Sequence, residues 1–157
     1  MANKKETMKL RGLVTLEVTD KKGKLKEKKQ IKNTICNLGL KAIVGLAGNV
    51  DSQTAFTYLG AGIGTTGANA TDTALESEIV DSGLARASVT PTSETTTVTD
   101  DTLQLVKAWS VTGTKAVTEI GILNAASTGV LLGHQVFSAL NVVANDTLTV
   151  TYSVVLS

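Results

Sequence analysis

The sequence predicts a mainly β protein. The expected fold is an antiparallel β-sandwich, jelly-roll-like or a partly closed barrel, with one packed helix near residues 34–47 and an N-terminal basic β-hairpin. Three observations carry this. Apolar and polar residues alternate in several segments, most clearly over Thr147–Leu156, as half-buried strands require. Clusters of Gly, Asn and Asp separate these segments at regular spacing, and the count comes to about eight strands. Hydrophobic residues make up 42% of the 157 but aromatics only 3%. The core therefore rests on Val, Leu, Ile and Ala, and the abundant Val and Thr suit a pleated surface.

The elements follow in chain order. Leu13 to Thr19 reads as a strand with Val14, Leu16 and Val18 on one side. Asp20 to Lys24 is a turn, with Gly23 available for positive φ. Leu25 to Ile31 returns as a lysine-rich strand, the composition of an edge protected against stray pairing. Asn33 or Thr34 can cap the following helix, whose apolar residues Ile35, Leu38, Leu40, Ile43, Val44 and Leu46 are expected to pack on a sheet. Gly48-Asn49 stops it. Ala55 to Gly64 is a strand, followed by a small-residue loop and a short helix over Thr71–Glu78. Leu84 to Val98 is a long or split edge strand broken at Pro91. Leu103–Val111, Ala116–Leu123, Val130–Phe137 and the C-terminal segment complete the sheets. The whole of 1–157 reads as one domain, a basic arm over 1–32 and a body over 33–157.

Charge is divided unevenly along this layout. Residues 1–32 hold eleven Lys/Arg against four Asp/Glu, a net of +7, and residues 33–157 hold four against ten, a net of −6. A basic arm on an acidic body suits an acidic partner surface. The lone Cys36, in an apolar stretch, excludes an intrachain disulfide and reads as a small buried hydrophobe. No apolar run has the length of a membrane span, and the basic start lacks the apolar segment of a signal peptide, so synthesis in a cytoplasm is expected.

The search for chemistry leads to no catalytic, cofactor or metal site. His134 is the only histidine and lies on a predicted strand; no nucleophile-elbow sequence accompanies it, and it reads as structural. Asp100-Asp101 reads as a solvated turn rather than a cation site. Glu76 and Glu78, two apart on the expected short helix, do not share a face and form no catalytic pair. Gly60-Ala61-Gly62-Ile63-Gly64 lacks the spacing and the α/β context of a dinucleotide loop, and points instead to close backbone approach. The remaining candidate is the hairpin, with Lys21, Lys22, Lys24, Lys26, Lys28, Lys29 and Lys32. Protein–protein contact, a solvated edge and nucleic-acid binding are the alternatives. The first is preferred, because nucleic-acid binders add arginines and stacking aromatics, and this stretch has Arg11 alone and no aromatic.

The run Gly62–Ile79, GIGTTGANATDTALESEI, resembles a pattern in small tailed-bacteriophage virion proteins. There a strand ends in Gly-x-Gly-Thr, a loop leads to Asp-Thr-Ala-Leu-Glu-x-Glu, and an arginine, here Arg86, opens a strand. Val117–Asn124, Leu131–Phe137, Asp146–Tyr152 and the helix from Asn33 to Leu46 are similar to later and earlier parts of the same plan. The resemblance covers roughly residues 30–157 and leaves out the lysine-rich start. It implies a β-sandwich virion protein without catalytic residues. The leading expectation is a capsid decoration (cement) protein that binds and stabilises the shell, and the alternative is a tail- or fibre-associated protein contacting the host surface. It further implies capsid or other virion proteins as partners, a symmetric homo-oligomer such as a trimer, and residence in the virion.

Overall fold

The computed structural model describes residues 7–157, so the first six residues of the expected basic arm lie outside the described residues. Among the described residues, nine antiparallel strands and one helix make up the fold: β1 (Leu10–Thr19), β2 (Leu25–Ile35), α1 (Asn37–Gly48), β3 (Tyr58–Gly62), β4 (Ala87–Ser88), β5 (Thr92–Glu94), β6 (Thr102–Ser110), β7 (Lys115–Leu123), β8 (Leu131–Val142) and β9 (Thr147–Leu156). Their spatial order is β4-β3-β7-β8-β2-β1-β9-β6-β5, one sheet curled into a half-barrel. The mainly β, sandwich- or barrel-like expectation agrees with this. Nine strands rather than about eight arise because the segment around Pro91 divides into β4 and β5, which occupy the two edges of the sheet. Proline cannot donate to a ladder, so an edge is where the break does least harm.

The core lies inside the curl. Val14, Leu16 and Val18 of β1 meet Leu148, Val150, Tyr152 and Val154 of β9, all buried, with Leu105 and Trp109 of β6, Ile120 and Ile122 of β7 and Leu140 and Val142 of β8 completing the cluster. The alternation seen in the sequence is what delivers one face of each strand to this cluster.

The curl has one weak seam. β2 pairs with β1 along nearly its whole length, but with β8 only at Thr34↔His134 and Ile35↔Gly133. From Leu25 to Lys32 its outer edge is not paired with β8, while β1 stays paired with β9 up to Thr19↔Thr147.

Helix α1 differs from expectation in two respects. Asn33 and Thr34 belong to β2, and the N-cap is Cys36, without a side-chain cap. Asn33 is withdrawn from capping because its amide donates to the hydroxyl of buried Tyr152. The buried face also consists of Gly39, Ala42 and Gly45, while Leu38, Leu40, Val44 and Leu46 are exposed, Val44 by 68%. The cause is steric. A Cβ on Gly39 would stand 2.5 Å from Leu132 Cα, so only a face without side-chain bulk allows this approach to β8. Asn49, in the left-handed region at φ 49°, ends the helix where the sequence places its stop.

The short helix expected over Thr71–Glu78 does not form. That stretch is an irregular loop whose carboxylates bind backbone N–H groups elsewhere.

Candidate functional site

The hairpin owes its shape to Asp20, whose carboxylate accepts from the N–H groups of Lys22 at 2.8 Å and Lys24 at 3.0 Å. Gly23, at φ 79°, closes the turn. The seven lysines then separate into two groups. Lys26 is bound to Asp146 at 2.5 Å, Lys28 to Glu17 at 2.7 Å, and Lys29 to Glu27 at 3.2 Å, with a further hydrogen bond from Lys29 to Ser138. Lys26 and Lys29 therefore bridge the seam between β2 and the β8 side. Asp146 is buried, which by itself would raise its pKa, but the Lys26 ammonium and the Val143 N–H outweigh burial and hold it below the usual carboxylate range. Lys21, Lys22, Lys24 and Lys32 enter no ion pair among the described residues. Of these, Lys21, Lys22 and Lys24 converge at the hairpin tip, where an open cleft of about 720 Å³ runs between the turn and the Val143–Asp146 loop. Lys32 sits apart, at the far end of β2 opposite Leu13.

A second cluster was not legible in the sequence. Outside the core, on the far face of β7 and β8, Glu119 and His134 are diagonal neighbours, since Gly121 is registered opposite His134. His134 Nε2 is 2.9 Å from Glu119 Oε2 and its Nδ1 is 2.8 Å from Asp72 Oδ2. Glu119, wholly buried, also accepts from the N–H groups of Gly64, Glu76 and Ser77 at 2.7–2.9 Å. One carboxylate thus fastens both ends of the loop that covers this face of the sheet.

The neighbouring acids complete the fastening. Glu76 accepts from the N–H groups of Thr65 and Thr66, and Glu78 forms a two-point pair with Arg86, whose other nitrogen donates to the carbonyls of Ala125 and Thr128. The glycine run makes room for this: a Cβ on Gly62 would stand 2.2 Å from Glu119 Oε1. The close backbone approach read from Gly60–Gly64 is therefore an approach to Glu119.

The carboxylates and the ring shift one another's proton affinities. Burial pushes the Glu119 carboxyl up, but His134 and the three backbone donors outweigh it and hold it below the ordinary range. Burial likewise pulls His134 down, and its bonds to Glu119 and Asp72 reverse this, so its pKa is raised. Both ring nitrogens of His134 are held between the carboxylates of Glu119 and Asp72, which favours the charged ring.

Other sequence candidates are also accounted for. Asp101 accepts from the N–H groups of Val98, Thr96 and Thr97, with Val98 the chief cause that its carboxyl lies far below the usual range. Cys36 is fully buried, and burial, aided by the Asp72 charge, pushes its thiol up to about 11. Among the described residues no group of three or more potential ligands is arranged to hold a metal ion, and no helix is long and apolar enough to cross a membrane.

No protein-family model matches this chain, and searches of curated proteins and of solved structures returned no match.

Proposed function

We propose that the chain is a structural protein of a tailed-bacteriophage particle, a capsid decoration protein that binds the shell through its basic hairpin tip and stabilises it. The observation that carries the reading is the contrast between the tip and the rest. Lys21, Lys22 and Lys24 project without ion pairs, whereas the carboxylates of the resemblance motif, Asp72, Glu76 and Glu78, are all bound internally. The protein offers a charged contact at the tip, and both nitrogens of its histidine are engaged by carboxylates. Its partners are capsid or other virion proteins, its place is the particle after synthesis in the host cytoplasm, and it performs no catalysis. Repeated copies on a shell convert a modest contact into avidity.

The alternative, a tail- or fibre-associated protein contacting the host, fits the same fold. Binders of host surfaces favour exposed aromatic rings, and here Trp109 and Tyr152 are in the core. Immunogold labelling of intact particles tests the assignment. Label over heads is the expected result, label confined to tails selects the alternative, and unlabelled particles overturn both.

A further inference from the structure

We propose that the outer face of the sheet carries a second binding site, a hollow beside Arg11 and Lys32 that takes an acidic segment of a partner protein with apolar residues flanking its carboxylate. The site lies at the opposite end of β1 from the hairpin tip and is independent of the virion assignment.

Sheet register builds it. On the face of β1 that looks away from the core, Leu13 is opposite Lys32 of β2 and Arg11 is opposite Val155 of β9. Arg11 and Lys32 are therefore diagonal neighbours across β1 and β2, and Leu13 and Val155 are diagonal neighbours across β1 and β9. Such neighbours stand about 7–8 Å apart, within reach of long side chains. A diagonal of two cations thus runs beside a diagonal of two aliphatic groups. These four side chains line a hollow of about 400 Å³, and Thr96 of the loop after β5 lines it too. That loop is held in place. The Asp101 carboxylate accepts from the N–H groups of Thr96, Thr97 and Val98, the Asp101 carbonyl accepts from the Leu156 N–H at 2.9 Å, and the hydroxyls of Thr96 and Thr102 share a hydrogen bond of 2.6 Å.

The charge in this hollow has no counterpart. Arg11 and Lys32 are exposed and enter no ion pair among the described residues, whereas further along the same face Lys28 is bound to Glu17 at 2.7 Å. Like charges at neighbouring positions on a sheet face repel, and an anion between them relieves the repulsion. The planar guanidinium suits a carboxylate, which it can hold at two points.

The apolar diagonal selects the body that carries the anion. Leu13 is 38% exposed beside the cations, and no aromatic residue lines the hollow on which a base could stack. The hollow is open on its solvent side, so it covers one side of an occupant, whereas sites for small molecules enclose most of the ligand. A protein segment needs only one side covered. In an extended chain alternate residues face the same way, so an apolar–x–acid–x–apolar sequence brings its carboxylate to the cations and its apolar side chains to Leu13 and Val155.

An NMR titration of the full chain tests this, with acetyl-Leu-Ser-Glu-Ser-Leu-amide as probe and its Gln counterpart as control. The Glu peptide should shift the amides of Arg11 to Leu13, Lys32 and Val155, and should bind at least about tenfold more tightly than the Gln peptide. In Arg11→Gln/Lys32→Gln the difference between the two peptides should vanish. The comparison of peptides is made on the parent chain, so it decides the matter even where the variant is less stable. Equal affinity for the two peptides, shifts centred on Lys21 to Lys24 instead, or no shift at about 10 mM peptide, a concentration that detects even millimolar affinity, overturns the proposal. Tighter binding of a thymidine oligonucleotide at the same residues also overturns it, in favour of nucleic acid.

Discussion

His134 and Glu119 are a buried ion pair, Nε2 to Oε2 at 2.9 Å, on the face of β7 and β8 that looks away from the core. Neither side chain reaches solvent to any extent. With Asp72 on the other ring nitrogen, the pair holds the loop after β3 against the sheet.

Removing one partner of such a pair leaves an uncompensated buried charge. His134→Ala should destabilise the fold by about 3–5 kcal/mol, and Glu119→Ala, which also strands three backbone donors, by at least as much. Urea denaturation measures both. A loss under about 0.5 kcal/mol for either would show that the loop is held by other contacts.

The pair also sets a pH window. The pKa of His134 is raised above its ordinary 6.5, so its contribution is complete below that pH and is lost as pH rises through the folded value. Those of Glu119 and Asp72 are lowered from 4.5 and 3.8, so theirs is complete above those values and is lost as pH falls through the folded ones. Denaturation midpoints should therefore be highest between about 4.5 and 6.5 for this cluster. In His134→Gln the decline on the alkaline side should vanish. An alkaline decline equal in variant and parent would assign it to other groups.

Helix α1 gives a prediction opposite to its hydrophobicity. Gly39→Ala should cost about 1–3 kcal/mol, because the new Cβ meets the Leu132 backbone and one of the two must move. Val44→Lys, at an exposed position, should change the stability of the monomer by less than about 0.5 kcal/mol. Thermal melts of the two variants at low protein concentration decide it, and the reverse order would mean that the helix packs on its leucine face.

The hairpin lysines should divide in the same way. Lys26→Glu places a like charge against buried Asp146 and should cost about 1–3 kcal/mol, whereas Lys21→Glu at the open tip should be close to neutral. Equal melting temperatures for the two would show that the Lys26–Asp146 bridge does not hold the seam.

Much of the fold was legible because strand alternation maps directly onto one buried face. Val14, Leu16 and Val18, and Leu148 through Val154, were read on the correct side for this reason. α1 was misassigned because hydrophobicity ranks leucine above glycine, while close approach to Leu132 selects for small size. The Thr71–Glu78 segment looks helical locally, but Glu76 is drawn to the Thr65 and Thr66 N–H groups, Glu78 to Arg86 and Asp72 to His134, pairings that no helical pattern encodes. Glu119 carried a signal that sequence reasoning missed: a lone charge in the apolar stretch Val117–Leu123, on the strand paired with a glycine run that has room for it. The lysines were found as a group, but only pairing across β1, β8 and the Val143–Asp146 loop separates structural from free ones.

The most direct test of the account is attachment of the purified protein to phage particles depleted of it. Occupancy is compared between wild type and Lys21→Glu/Lys22→Glu/Lys24→Glu at physiological salt, after equal melting temperatures establish that both are folded. The predicted result is an affinity lower by at least about tenfold for the variant, with the difference shrinking as salt is raised. Equal occupancy at every salt concentration would contradict the claim that this tip is what binds the shell.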